Sequence, residues 1–419
     1  MSQHRLPPLR RNRDFVLLEA GQLLSTAGTN ISGIAFPLLV LAETHSPAKA
    51  GLVQAARFAP MVLLSPFAGA AADQRNRRRL MIGADVVSAL AIGTLVAAIA
   101  MGRIPFPLIL AVAFADACAS VYFLAAKSGA FRSVVPKAQL PNAASVEMGR
   151  ASTVRLAAPP IGGALFGIAR ILPFAADVAS YVFSTVSILL MRTPFQEERP
   201  RDTSPLGRQL AEGFRFLWNV PVLRISAVMI GVSNFGVTAC QFALIVLAKR
   251  HGLSAAAIGG LVALTGLTTL AGSIASPLLR RVLSLPDILL SEFWAVYGVI
   301  AFFIWPNVYV LAAALAVQAF CFPNTDAAIN AYRYAMTPDR LVSRVVTVAT
   351  TIVVAVMPLG PLAAGFLLDN VSAQLTIFLL TVGTMVAAVI GTLSRAVREL
   401  PPLAEVVTPS PSASPVEAG

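Results

Sequence analysis

Long apolar runs separated by short polar stretches are the main pattern of this 419-residue chain. A bilayer core needs about 20 mostly apolar residues per helix, so the runs can be counted as predicted spans. Five runs contain no Asp, Glu, Lys or Arg: 20–42, 225–248, 252–279, 345–368 and 370–394. Seven others carry isolated charges: 51–72, 80–102, 104–130, 138–169, 171–191, 288–305 and 307–331. The pattern predicts an all-α membrane protein with twelve spans, which we number in chain order.

The charged residues are unevenly distributed between alternate loops. With the N-terminus inside, 22 of the 32 Lys and Arg residues lie on the inner face and five outside. Because cytoplasmic loops carry an excess of Lys and Arg, we expect a multi-pass protein of the cell inner membrane with both termini in the cytoplasm. The basic residues form short clusters between apolar runs, so nucleic acid is not an expected partner.

A charged, proline-rich stretch divides the twelve spans six and six. Pro136, Pro159 and Gly163 reappear 202 residues later as Pro338, Pro361 and Gly365. Such an offset indicates a parallel duplication and two pseudo-symmetric six-helix bundles. The predicted organisation is a cytoplasmic N-terminal segment (1–14), a first bundle (15–192), a linker with an amphipathic helix (193–221), a second bundle (222–398) and a disordered tail (399–419).

Composition excludes several chemistries. With 57% hydrophobic and 12% charged residues, nearly the whole chain must lie in lipid. The three cysteines lie in apolar runs and the three histidines are far apart, so we expect no metal, no disulfide and no cofactor. No Gly-x-x-x-x-Gly-Lys-Ser/Thr phosphate loop is present in the sequence, so an ion gradient rather than ATP hydrolysis must supply energy.

A short basic turn, Gly69-Ala-Ala-Ala-Asp73-Gln-Arg-Asn-Arg77-Arg78, joins spans 2 and 3. Its spacing resembles the signature loop of the major facilitator superfamily, with Gln74 and Asn76 as departures. There the glycine lets two helices approach closely, and the Asp and arginines hold an inner gate. The resemblance implies these gate roles for Gly69, Asp73, Arg77 and Arg78. Together with 122–136, 212–224 and 337–345, the turn makes residues 14–398 resemble the branch of the enterobactin exporter and macrolide-efflux proteins.

Isolated carboxylates inside spans are candidates for proton coupling, because a charge at bilayer depth is expensive. Asp116 lies about 18 Å along span 4, close to the midplane, and is the first candidate. Glu19 and Asp326 are the others. The alternative for Asp116 is a permanent ion pair with Arg57, since Lys127 lies about 16 Å further along the same helix, too far for direct contact.

Two further sets of residues are candidates for the gate and for substrate contact. Charges near the inner face can form salt bridges that break when the gate changes state: Asp85, Lys127, Arg132, Glu147 and Arg150. The resemblance places spans 1, 4, 7 and 10 around a central cavity, so their polar residues could contact substrate or only bond neighbouring helices. They are Gln22, Thr29, Asn30, Ser120, Tyr122, Asn234, Thr238, Gln241, Gln318 and Asn324.

Small residues and prolines recur in spans 5 and 11. Pro159, Gly162 and Gly163 are similar to an element of the superfamily's proton antiporters that seals the outer half, and Gly360, Pro361 and Gly365 repeat it. The simpler interpretation is close helix packing in lipid.

The sequence thus predicts a secondary active transporter without enzymatic activity. It would export a mid-sized amphipathic compound, a drug-like natural product or a siderophore, by proton antiport with alternating access. The expected partners are this small molecule, protons and the bilayer, and we expect a monomer. The alternatives are a symporter importing a small nutrient and a non-transporting receptor or scaffold.

Overall fold

The computed structural model describes residues 8–195 and 206–395, and in these ranges the chain is helical without strands. The predicted tail (399–419) and part of the predicted linker lie outside them. Three short 3-10 helices, Leu9–Arg11, Lys137–Gln139 and Val296–Val299, accompany fifteen α-helices. These are α1 (Arg13–Thr44), α2 (Pro47–Gln74), α3 (Arg77–Ala100), α4 (Phe106–Val134), α5 (Leu140–Ile168), α6 (Leu172–Leu190), α7 (Leu206–Asn219), α8 (Pro221–Arg250), α9 (Ala255–Val282), α10 (Leu285–Ala295), α11 (Ile300–Ile304), α12 (Val308–Met336), α13 (Asp339–Val356), α14 (Leu359–Asn370) and α15 (Ala373–Leu393).

The twelve predicted spans all have helical counterparts. Spans 1–6 are α1–α6, and spans 7, 8, 10 and 12 are α8, α9, α12 and α15. Span 9 divides into α10 and α11, and span 11 into α13 and α14. Eleven segments of the described chain are long and apolar enough to cross a membrane, and α5 is the twelfth helix, with Glu147, Arg150 and Arg155 lowering its hydropathy. The predicted all-α membrane fold is confirmed.

Polar side chains set the starts of the first three helices. Asn12, Ser46 and Asn76 each accept a hydrogen bond from the backbone N–H three residues on, at 3.1–3.3 Å. This satisfies one of the four donors that a helix start leaves without an intrahelical acceptor. The basic turn is short, because α2 ends at Gln74 and α3 begins at Arg77. Asn76 has a negative φ of −64°, so the position does not need the glycine usual in the superfamily.

The chain forms two compact units. Unit 1 comprises 1–201, 238–267 and 357–376, and unit 2 comprises 202–237, 268–356 and 377–419. One core of unit 1 surrounds Phe15, Leu18 and Met81, and one core of unit 2 surrounds Phe293 and Tyr332. Unit 1 thus adds parts of α8, α9 and α14 to α1–α6. The proposed division into bundles 15–192 and 222–398 stays a prediction.

Candidate functional site

A cavity of about 440 Å³ lies within unit 1. Its wall comes from α1, α2, α4 and α5 and from the unit 1 parts of α8, α9 and α14. The apolar lining includes Phe58, Met61 and Phe242. The polar lining consists of Thr29, Asn30, Gln54, Arg57, Asp116, Ser120, Thr238 and Gln241. The volume and this mixture of groups are typical of a small-molecule site.

Predicted cavity residues on α4 point in two directions. Ser120 lines the cavity, whereas Tyr122 lines a groove between α3 and α4 with Arg79 and Cys118. Two residues turn a helix by about 200°, so these two side chains cannot both face the same side. Tyr122 is therefore not part of this cavity.

Of the remaining predicted substrate-contact residues, three lie in unit 2 and one lies in unit 1 outside the cavity. Asn324 donates from Nδ2 to the Gly272 carbonyl oxygen at 3.3 Å, and Asn234 donates to the Ile230 carbonyl oxygen of its own helix at 3.0 Å. Gln318 is buried in unit 2, and Gln22 is buried in α1 away from the cavity lining. The Asn324 bond links α12 to α9, which is a common role for amides in membranes, whereas this Asn234 bond stays within α8.

Asp116 lies in the cavity wall and is only 1% exposed. Tyr181 of α6 donates its hydroxyl to Asp116 Oδ1 at 2.8 Å, and Thr29 Oγ1 lies 3.1 Å from the same hydroxyl. Among the described residues no cation lies within 4 Å of this carboxylate. The permanent Asp116–Arg57 ion pair considered from the sequence is therefore not formed here.

Arg57 is the cation of the cavity lining. Its NH1 donates to the Gly33 carbonyl oxygen at 3.2 Å, and its guanidinium lies over the Phe36 ring, 4.9 Å from the centroid. Nearby, Gln54 Oε1 is buried and has no hydrogen-bond partner among the described residues. The cavity thus offers a cation, a carboxylate and an unused amide acceptor.

The other predicted coupling residues have different surroundings. Arg150 Nε donates to Glu19 Oε2 at 3.0 Å, and Lys127 Nζ donates to Glu147 Oε1 at 2.5 Å. Arg150 also donates to the Gln22 carbonyl oxygen and to Thr26, both at 3.0 Å. Two acids and two bases therefore balance one another between α1, α4 and α5. Asp326, in unit 2, interacts with Arg333 and Asn330 of its own helix.

The predicted gate residues are not all brought together. Arg77 is buried, donates to the carbonyl oxygens of Ala72 and Phe195, and lies 3.7 Å from the exposed Asp73. Three others are separate from it: Arg78 donates to the Leu189 carbonyl oxygen, Arg132 is exposed, and Asp85 is buried beside Ser184 of α6. A Cβ at Gly69 would meet open space, so the close approach implied for this glycine is not seen.

Glycines bring helices of unit 1 into backbone contact at two crossings. A Cβ at any of four glycines would collide with a carbonyl oxygen of the facing helix. The pairs are Gly163 with Ala255 and Gly259 with Pro159 between α5 and α9, and Gly365 with Pro47 and Gly51 with Pro361 between α14 and α2. Gly162 faces the Ile31 carbonyl oxygen in the same way. Pro159 and Gly163, and their counterparts Pro361 and Gly365 at a spacing of 202, therefore lie at equivalent crossings.

The α2–α14 crossing ends at a carboxylate that sequence reasoning missed. Asp369 Oδ2 accepts from Ser46 Oγ and from the Ala48 N–H, both at 2.9 Å. Arg250 lies 3.8 Å from the same carboxylate and donates to the Leu368 carbonyl oxygen. Asp369 therefore caps the first turn of α2 from a helix more than 300 residues away in the sequence.

The fold and the site together define a class, the multi-pass membrane transporters. The chain belongs to the transmembrane secretion effector family of the major facilitator superfamily, whose model matches residues 4–411. The multidrug efflux pump Tap of Mycobacterium tuberculosis is 30% identical, over 96% of this chain and 99% of that pump. Macrolide efflux protein A of Streptococcus pyogenes is 23% identical, over 48% of this chain and 51% of that protein.

A solved structure gives the same fold. A bacterial homologue of the human lysosomal transporter Spinster, inward-facing and unoccupied, matches with a TM-score of 0.71 at 17% identity, covering 93% of this chain and 98% of that one. The family and these relatives support an efflux transporter of the major facilitator superfamily.

Proposed function

We propose that this protein exports a mid-sized amphipathic compound, a drug-like natural product or a siderophore, in exchange for protons by alternating access. The observation that carries the proposal is Asp116, a buried carboxylate in the wall of a cavity, without a cation within 4 Å among the described residues. A carboxyl group in this position can bind a proton when the cavity is empty and release it when substrate arrives.

The chemistry of the lining supports an amphipathic substrate. Aromatic and thioether side chains offer apolar contact, and Asn30, Gln54 and Gln241 offer amide groups. Two relatives are named for multidrug and macrolide efflux. Glu19 and Asp326 remain alternative coupling residues.

We also propose placement in the inner membrane, and the excess of basic residues on alternate loops supports both termini in the cytoplasm. Reporter fusions at each terminus, active only in one compartment, test this topology. A periplasmic signal from either terminus would contradict it. We further propose a monomer, which the mass of the purified protein in detergent would test.

Transport is tested by pH-gradient-driven efflux of fluorescent amphiphiles and siderophores from cells that express wild type or Asp116→Asn. We expect wild type to export at least one compound, and the variant to bind it without pumping it. Glu43→Gln is the matched control, since this carboxylate forms an exposed pair with Arg170 at the end of α1. Equal export by wild type and Asp116→Asn would contradict the role of Asp116.

Direction is tested in inverted membrane vesicles that are acidic inside. An exporter exchanging substrate for protons accumulates the compound in these vesicles, and a collapsed gradient abolishes the accumulation. Proton-driven accumulation in right-side-out vesicles that are acidic outside would instead favour the symporter.

A further inference from the structure

A second carboxylate lies close to Asp116 in the interior of unit 1. Asp177 of α6 is 0% exposed, and its Oδ2 has no hydrogen-bond partner among the described residues. Ser180 Oγ donates to the Asp177 carbonyl oxygen at 2.7 Å and lies 3.4 Å from Oδ1. No cation of the described chain lies within 4 Å of this carboxylate. Ser32 of α1 also interacts with this carboxylate. A buried acid whose nearest partners are neutral hydroxyl groups is costly in its charged form.

Tyr181 connects the two carboxylates. It follows Asp177 by four residues, so both side chains lie on one face of α6, and its hydroxyl donates to Asp116. The charged and titratable groups that interact with Asp177 in the described chain are Asp116, Arg57 and Tyr181. Further along α6, Asp85 of α3 lies against Ser184, outside this group.

The formal charges of Asp116, Asp177 and Arg57 show that this group can bind one proton or one cation. With both carboxylates ionised, Arg57 leaves one negative charge uncompensated in a buried region. One bound proton makes the group neutral, and one bound cation does the same after that proton leaves.

We infer that Asp116 and Asp177 form one coupling site that holds a single exchangeable proton, and that a cationic amphipathic substrate displaces this proton into the cavity. Asp116 faces the substrate. Asp177, four residues before Tyr181 on α6, supplies the second negative charge of the site. The inference rests on the proposed function and deepens it, because it names a second coupling residue and a substrate charge.

The structure supplies a probe of Asp177 that leaves both carboxyl groups in place. A Cβ at Gly28 of α1 would lie 2.7 Å from Asp177 Oδ1 and would collide with Ser180 Oγ. Gly28→Ala therefore displaces Asp177 without changing a titratable group. Gly93→Ala is the matched control, because a Cβ there on α3 meets nothing within 4 Å.

The experiment measures proton release from the purified protein in weakly buffered detergent solution, with a pH-indicator dye, as tetraphenylphosphonium binds. We expect about one proton per bound cation for wild type and for Gly93→Ala. Asp177→Asn, which leaves Asp116 and Arg57 neutral without a proton, should release at least threefold less. Gly28→Ala should release less than wild type and shift the pH at which release is half-maximal.

The outcomes separate this inference from the proposed function. Release of no proton by wild type, with tetraphenylphosphonium bound, would overturn the proton-exchange proposal and the pair with it. Normal release by wild type and by Asp177→Asn would overturn the pair alone and leave Asp116 as a single carrier. Equal release on binding a neutral amphiphile, N-phenylnaphthylamine, would overturn displacement by charge. If Asp177→Asn does not fold, wild-type release and an unshifted midpoint in Gly28→Ala would overturn the pair.

Discussion

Unit 1 contains two groups of buried or half-buried charged residues that are built in opposite ways. In the first, Glu19, Lys127, Glu147 and Arg150 form ion pairs, with two acids matched by two bases. In the second, Asp116 and Asp177 have hydroxyl groups as neighbours, and Arg57 donates to a backbone carbonyl instead of to either acid.

The difference separates charges that hold a structure from charges that can change. Each acid of the balanced group would leave a buried base uncompensated if it took up a proton, so that group resists a change of protonation. The second group carries one acid in excess of its cation and can alternate between a proton and another cation. This contrast favours Asp116 over Glu19 as the coupling residue.

The largest expected effect comes from breaking the balanced group. Arg150→Met leaves Glu19 and Glu147 with one base between them, and Arg150 is only 8% exposed. We expect a loss of about 3–5 kcal/mol in the free energy of unfolding, measured by denaturant titration in detergent. The double variant Glu19→Gln, Arg150→Met should recover part of the loss, because it removes the uncompensated acid. A change below about 1 kcal/mol for Arg150→Met would remove the contrast between the groups.

A smaller effect on stability is expected from Asp116→Asn. The side-chain oxygen of asparagine can still accept from Tyr181, and no buried cation loses a partner within 4 Å. The free energy of unfolding should therefore change by less than about 1 kcal/mol, although transport is expected to fail. A destabilisation as large as that of Arg150→Met would instead place Asp116 among the structural charges.

The smallest effect on stability is expected at the basic turn. The side chain of Asp73 is 80% exposed, and its contact with Arg77 is 3.7 Å long. Exposed pairs contribute little, so Asp73→Asn should change the free energy of unfolding by less than about 0.5 kcal/mol. A gate role predicts slower efflux at this unchanged stability. Efflux at the wild-type rate would show that Asp73 is not needed for gating.

Much of the fold could be predicted from the sequence because a bilayer permits few solutions. Every backbone polar group must be satisfied inside lipid, so an apolar run of sufficient length has to be a helix. Even α5, with Glu147, Arg150 and Arg155, is counted as a span from the sequence because its charges are isolated within a mostly apolar run. The position of Asp116 along α4 likewise follows from counting residues at a fixed rise.

Direction around a helix axis could not be predicted in the same way. The sequence predicts both Ser120 and Tyr122 as cavity residues, but helical rotation places only Ser120 in the cavity wall. Asp177 was visible only as one isolated charge in an apolar run, and its closeness to Asp116 depends on how α6 packs on α1 at Gly28. Such contacts arise from packing between helices far apart in the sequence, and composition and spacing within one helix do not determine them.

The cap that Asp369 places on α2 also constrains how the protein is made. Ser46 and Asp369 are separated by 323 residues, so the ribosome finishes α2 long before its cap exists. At roughly 5–20 residues per second, the first turn of α2 waits about 15–65 s for this carboxylate. During synthesis the N-terminal end of α2 must therefore rely on water, lipid headgroups or Ser46 alone, and the cap forms only when the chain is nearly complete.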